Sequence, residues 1–253
     1  MSTAVMIPQK ASASAGRLIG VLLLAHLSGG LIVPFIMLHP LVNPPGFLVS
    51  AAGFATQVRA AVLLLLVGSA MAIAIASAGW RVFRQFSSAM ALWLLALAVA
   101  AFSLQVVDNA HILSMLSLSQ EYASAGTAKA ELFQGLALVV GAARKWSHYT
   151  FLLTVGCWIL LLFTLLYRFR LVPRAIAALG MIGAVLQIAG VSLRGLFGYS
   201  PETRLAMPLA PAYVLLAGWL MVKGFDVRHR PLEDEEQGTP AQHGPGLTNG
   251  DKK

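Results

Sequence analysis

Six stretches of the chain run free of Lys, Arg, Asp and Glu over roughly the 17–25 residues that a helix needs to cross a bilayer. They are residues 18–38, 60–80, 85–107, 146–167, 175–193 and 205–222. Each is apolar all round rather than along one stripe, as befits a helix surrounded by lipid and other helices. Pro40, Pro44 and Pro45 break the helix pattern after the first stretch. That stretch is too long for the apolar segment of a cleaved signal peptide and reads as a retained span. The pattern predicts an all-α polytopic membrane protein, a six-transmembrane-helix bundle within residues 17–226.

The stretch 109–143 reads differently. Its apolar pieces, 109–120 and 132–143, are short and interrupted by charges. The third helix is expected to continue past the membrane, and 128–143 to form a short interfacial helix on the outer side. A seventh span is the alternative. Small and polar residues over 1–16 predict a disordered N-terminus. Proline, glycine and acidic residues over 227–253 predict a disordered cytoplasmic tail.

Composition sharpens this picture by exclusion. Of the 253 residues, 58% are hydrophobic and 11% charged, and the mean hydropathy is +0.76. An ordinary soluble domain carries about 25% charged residues, so a soluble enzyme is excluded. The net charge of +8 does not point to nucleic acid, because the basic residues sit at the ends of apolar runs. There they anchor helices at lipid headgroups. Counting Lys and Arg by side, with Arg81, Arg84, Arg168, Arg170 and Arg174 in short loops, predicts both termini in the cytoplasm and a location in the plasma or inner membrane. The single cysteine, Cys157, offers no intramolecular disulfide and no cysteine-based metal site.

Depth along each helix selects the candidate chemistry. His26 lies about 13 Å past Arg17 and Gln187 about 20 Å past Arg174, at 1.5 Å per residue. These are the mid-membrane polar candidates. No carboxylate, Lys or Arg falls in the middle of a span, which argues against proton pumps and ion-coupled carriers. Asp108 lies about 36 Å past Arg84, with His111 at i+3 and Gln105 at i−3 on the same face. His39, Arg59, His148, Arg194 and Glu202 belong to the same outer end. One reading is an outward-facing polar pocket with Asp108 and His111 as its floor and Arg59, His148, Arg194 and Glu202 as candidate ligand-binding residues. The other is a solvated rim of ion pairs, such as Asp108 with Arg59 or Arg194.

No cofactor is expected. The histidines lack HxxxH or HExxH spacing, so no metal site is predicted. His26 has no histidine at its depth for bis-His haem, and Lys223 sits at a helix end, a poor place for a Schiff base. Glycine-rich nucleotide loops and the GxSxG elbow are missing.

The residues His148-Tyr149, Leu166-Tyr167-Arg168-Phe169-Arg170-Leu171-Val172-Pro173-Arg174, Leu179-Gly180-Met181-Ile182-Gly183 and Trp219-Leu220-Met221-Val222-Lys223-Gly224-Phe225 carry a resemblance. With the opening Gly16-Arg17-Leu18-Ile19-Gly20-Val21, they resemble a bacterial six-helix family catalogued as domain of unknown function 4386, over residues 15–226. The resemblance implies a six-helix membrane fold and no activity. Relative to that family, the third helix lacks an arginine between Gln85 and Val107, and Tyr213 stands where members often have a glutamate.

Three functions are expected from these features. The first is a module that binds or transports a small amphiphile or lipid. The second is a structural or regulatory protein that acts through a membrane-protein partner, with the tail as a soluble contact. The third is an intramembrane enzyme using Asp108 and His111 as an acid–base pair; the catalytic residues of such an enzyme are unknown, and activity of this kind is the least favoured of the three.

Overall fold

The computed structural model describes residues 9–125, 129–195, 197–198 and 207–226. Among them every regular element is helical. Residues 1–8, Glu202 and the tail 227–253 lie outside the described residues.

Helix α1 (Gln9–Ile32) includes residues 9–16, which the sequence assigned to a disordered N-terminus. It runs directly into a π-helical turn, Val33–Met37. Pro34 accounts for the change. It has no N–H to return to the Gly30 carbonyl, and the next turn closes one residue wider, with Leu38 N–H on Val33 O at 2.9 Å. Two short helices come next, α2 (His39–Val42) and α3 (Phe47–Ser50), then a 3₁₀ turn over Ala51–Phe54. Four longer helices and a shorter one complete the chain: α4 (Ala55–Phe83), α5 (Ser88–Ala125), α6 (Ala130–Arg168), α7 (Arg174–Gly195) and α8 (Leu209–Val222). The start of α5 is capped by Ser87, whose Oγ accepts the Met90 N–H at 3.2 Å.

Among the described residues, five helical segments are long and apolar enough to cross a membrane: Ala13–Met37, Phe47–Phe83, Ser88–Ala125, Ala130–Arg168 and Arg174–Gly195. The sixth, α8, has 14 residues and extends about 21 Å, short of a hydrocarbon core of about 30 Å. The chain is therefore a helical, multi-pass membrane protein with five full-length spans and one shorter apolar helix.

Residues 109–143 correct the sequence reading. The expected short interfacial helix over 128–143 is not a separate element, since 130–143 is the opening of α6 and continues into the span. Likewise 109–125 is the far end of α5, and no extra crossing forms. The reason is local. No proline occurs from 46 to 172, so nothing interrupts the i→i−4 ladder where the apolar run stops. At 38 and 39 residues, α5 and α6 each extend nearly 60 Å at about 1.5 Å per residue, roughly twice the hydrocarbon thickness.

The six main helices close a ring. Each packs on its neighbour in sequence, α1 on α4, α4 on α5, α5 on α6, α6 on α7 and α7 on α8, and α8 returns to α1. The interior is filled by Leu23, Ile75, Leu94, Trp158, Phe163, Tyr213 and Leu216. A second apolar cluster, with Val33, Leu38, Val58, Ile112 and Leu116, fills the end towards α2 and α3.

Closure of the ring depends on two glycines one turn apart. A β-carbon at Gly16 would lie 2.9 Å from Gly224 Cα, and one at Gly20 2.8 Å from the Ala217 carbonyl oxygen. Only a hydrogen fits, so α1 and α8 touch backbone to backbone, in the manner of membrane helices joined through small residues four apart. The opening Gly16-Arg17-Leu18-Ile19-Gly20 thus has a packing role.

The turn between α6 and α7 is closed by a Schellman motif. Arg170 N–H reaches Tyr167 O at 3.3 Å and Leu171 N–H reaches Leu166 O at 3.1 Å, with Arg170 left-handed at φ 52°. Its side chain is exposed. A residue with a β-carbon is strained there where glycine is not. Arg170→Gly is expected to stabilise the protein by roughly 0.5–1 kcal/mol, seen as a higher midpoint in circular-dichroism melting in detergent. The same turn receives the end of the bundle, since Asp226 N–H bonds Leu171 O at 2.9 Å and Phe225 packs edge-on to Phe83 at 5.6 Å.

Candidate functional site

The charged cluster at the far end is built between α5 and α6. Asp108, 1% exposed, points from α5 towards α6. Ser147 Oγ donates to its Oδ1 at 3.1 Å, and His148 Nδ1 lies 3.3 Å from its Oδ2. Arg144 Nε lies 3.6 Å from Oδ1. The three partners share one stretch of α6: Arg144 is one turn before His148, and Ser147 also bonds the Arg144 carbonyl at 3.0 Å. Depth explains the match. His148 is about 30 Å and Arg144 about 36 Å from Arg168, and Asp108 is about 36 Å from Arg84, at 1.5 Å per residue.

A buried carboxylate in so apolar a setting must be neutralised and hydrogen-bonded to persist. Here a guanidinium, an imidazole and a hydroxyl share that task. Arg144 and His148 keep side-chain exposures of 15% and 29%, so the cluster reaches the surface through its basic members. Arg144 Nε is itself buried and has no hydrogen-bond acceptor among the described residues.

The neighbouring polar residues of α5 serve other helices. Gln105 donates to Asn109 Oδ1 at 2.9 Å, and Asn109 Nδ2 donates to the Val62 carbonyl of α4 at 3.1 Å. Further out, Ser119 donates to Leu48 O at 3.0 Å and accepts the Ala52 N–H at 2.9 Å. Helix α5 thus sends Asp108 to α6, Asn109 to α4 and Ser119 to the segment around α3.

The sequence-selected residues divide accordingly. Asp108 and His148 meet. His111, one turn beyond Asp108, is partly buried and makes no hydrogen bond to it, so the expected Asp108–His111 pair is not formed. Arg59 and Arg194 are exposed, and neither pairs with Asp108, whose ion pairs among the described residues are with Arg144 and His148. His39 is exposed as well. The surface concavity at residues 52–57 does not include Asp108. No group of three or more His, Cys, Asp or Glu side chains that could hold a metal ion occurs among the described residues.

Of the mid-membrane candidates, Gln187 sits on α7 where that helix faces Gly156 of α6, its amide nitrogen 3.9 Å from where a Gly156 β-carbon would be. His26 lies inside the ring. Its Nδ1 is 3.0 Å from the Gly68 carbonyl oxygen, and its ring centroid is 6.1 Å from Trp158 and 6.3 Å from Tyr213. Arg144, Ser147, Asn109, Trp158 and Tyr213 were not among the sequence candidates. For Arg144 and Ser147 the signal was present: both share the depth of Asp108.

Residues 18–224 match the profile of the domain of unknown function DUF4386. The chain belongs to this family. In this DUF4386 member the matched residues take in parts or all of the six main helices, together with the Asp108 cluster and the layer around His26. No curated protein and no solved structure gives a significant match to the chain.

Proposed function

We propose that the bundle binds, and in doing so carries or senses, a small amphiphile or lipid at the Asp108 end, with Arg144 and His148 engaging its polar head. The single observation that supports this reading is the state of Arg144. Its charge is balanced by Asp108 at 3.6 Å, yet Nε makes no hydrogen bond among the described residues. A neutralised guanidinium with donors left over suits an anionic or strongly accepting headgroup, because guanidinium donors match carboxylate and phosphate oxygens. In this reading the Asp108 end faces outward, both termini are cytoplasmic, and the protein resides in the plasma or inner membrane. Arg59, Arg194 and Glu202 then belong to the rim of the site.

The test is thermal stabilisation of the purified protein by a panel of anionic lipids, zwitterionic lipids and amphiphilic metabolites. A ligand at 100 times its Kd raises stability by about 2.7 kcal/mol. The expected result is stabilisation by at least one anionic amphiphile that is lost in Arg144→Gln. A flat response across the panel overturns the reading.

A second reading, a structural or regulatory protein acting through partner helices, draws on a different feature. Leu132, Leu136 and Val139 of α6 are spaced i, i+4, i+7 and are 60%, 44% and 67% exposed, on the part of the helix beyond the membrane-length segment. Such a stripe suits a partner helix. Loss of a co-purifying membrane protein on Leu136→Glu, with the bundle still folded, favours this reading over the first.

A further inference from the structure

We propose that the layer around His26, Trp158 and Tyr213 binds an uncharged, lipid-soluble, planar molecule bearing ring carbonyl or hydroxyl oxygens, of the quinone–quinol class. This site is separate from the Asp108 cluster and does not depend on it. Four helices deliver its parts to one depth. His26 is nine residues past Arg17, Trp158 ten before Arg168, Tyr213 ten before Lys223 and Gly68 thirteen before Arg81. At 1.5 Å per residue all lie about 13–20 Å from the basic end, in mid-hydrocarbon.

The polar atoms there are unspent. A carbonyl oxygen only accepts, so the 3.0 Å contact with Gly68 O assigns the imidazole proton to Nδ1. Nε2 of the neutral ring then holds an accepting lone pair, and no partner for it occurs among the described residues. Trp158 is 1% exposed and Tyr213 2% exposed, and neither Trp158 Nε1 nor Tyr213 OH has a hydrogen-bond partner among the described residues. Two orphaned donors and one orphaned acceptor gather around one imidazole. Polar groups in such surroundings are costly unless something bonds them.

The surroundings define the occupant. Tyr213 lies nearly parallel to His26, at 22°, and Phe163 stands edge-on to Tyr213 at 6.1 Å. Aromatic faces and aliphatic neighbours such as Leu23 and Leu216 favour a flat apolar ring. No Lys, Arg, Asp or Glu stands at this depth, which disfavours a charged ligand. Carbonyl oxygens accept from Trp158 and Tyr213, and a hydroxyl donates to His26 Nε2, so both the quinone and the quinol form find partners. Room lies beside the imidazole, because a β-carbon at Gly68, or at Gly29 one turn beyond His26, would have no neighbour within 4 Å. Both glycines are partly exposed at the lipid-facing side of α1 and α4, which gives a lipid-soluble molecule lateral access.

The probe is a decyl-chain benzoquinone added to the full-length protein in nanodiscs, read by quenching of tryptophan fluorescence. Saturable quenching is expected. Its amplitude drops in Trp158→Phe, and half-saturation shifts upward about fivefold to tenfold in Tyr213→Phe, the loss of one hydrogen bond. Gly68→Leu, which fills the gap beside His26, is expected to abolish saturation. Arg144→Gln, at the other end of the bundle, is expected to leave the quenching curve unchanged. If Arg144→Gln abolishes quenching while Tyr213→Phe does not, the quinone is binding at the Asp108 end and the assignment is overturned. Non-saturable quenching, identical in the native protein and in Tyr213→Phe, also overturns it and leaves at most buried water bonded to these atoms. The Phe variants preserve ring volume, so the test does not depend on a disruptive substitution.

Discussion

Asp108→Ala is expected to destabilise the bundle by about 3 kcal/mol, towards the low end of the range for breaking a buried ion pair. The carboxylate is 1% exposed and takes a hydroxyl, an imidazole and a guanidinium. Removing it leaves the Arg144 charge with no counter-ion in a pocket that is mostly out of solvent. The cost stays below the upper end of that range because Arg144 and His148 retain 15% and 29% exposure and relax towards water. Removing both charges restores neutrality, so Asp108→Leu with Arg144→Leu is expected to be more stable than Asp108→Ala alone, despite the second lost side chain. Melting followed by circular dichroism in one detergent compares the three proteins. A double variant no more stable than Asp108→Ala would show that the cluster is not held by charge pairing.

Gly20→Val is expected to open the ring between α1 and α8. The β-carbon would stand 2.8 Å from the Ala217 carbonyl oxygen and 2.7 Å from Met221 Cγ. The methionine end can move aside, but the carbonyl belongs to the helix backbone and cannot. Overpacking of this kind costs roughly 1–3 kcal/mol where neighbours yield, and the rigid contact places the expected loss at the upper end, about 3 kcal/mol. Gly135→Ala in α6 is the matched control. A β-carbon there meets nothing within 4 Å, so the better helix propensity of alanine is expected to leave the midpoint unchanged or raise it, by up to about 1 kcal/mol. Equal melting of Gly20→Val and the native protein would mean that α1 and α8 are not in backbone contact. Because α8 is the shortest helix of the ring, its seat on α1 is where loss of packing is least compensated by lipid.

Both effects arise at positions whose importance was unevenly legible. Gly16 and Gly20 were part of the opening that resembles the family, but which helix they meet is not written in their spacing. Asp108 was singled out by depth and by the scarcity of carboxylates, and His148 was placed at the same end. Their pairing, forty residues apart, was not deducible, and the sequence paired Asp108 instead with Arg59, Arg194 or His111. His26 was found as a mid-membrane polar residue with no histidine partner. What it has instead are Trp158 and Tyr213, which read in sequence as ordinary apolar-helix aromatics.

The sequence by itself determined that this is an all-helical, multi-pass membrane protein, roughly where each long helix begins, and how deep each polar residue sits. These features come from local physics: an apolar run long enough for the bilayer, breakers at Pro40, Pro44, Pro45 and Pro173, and a constant rise of about 1.5 Å per residue. Only the tertiary structure decided direction around each helix axis, and hence the company each residue keeps. Which of α4, α6 or α8 a side chain faces depends on how six helices close into a ring, and that is set by glycine contacts and interior volume spread over the whole chain. It also decided that α5 and α6 continue unbroken past the membrane boundary, because a helix ends where its hydrogen-bond ladder is broken and not where its hydrophobicity falls.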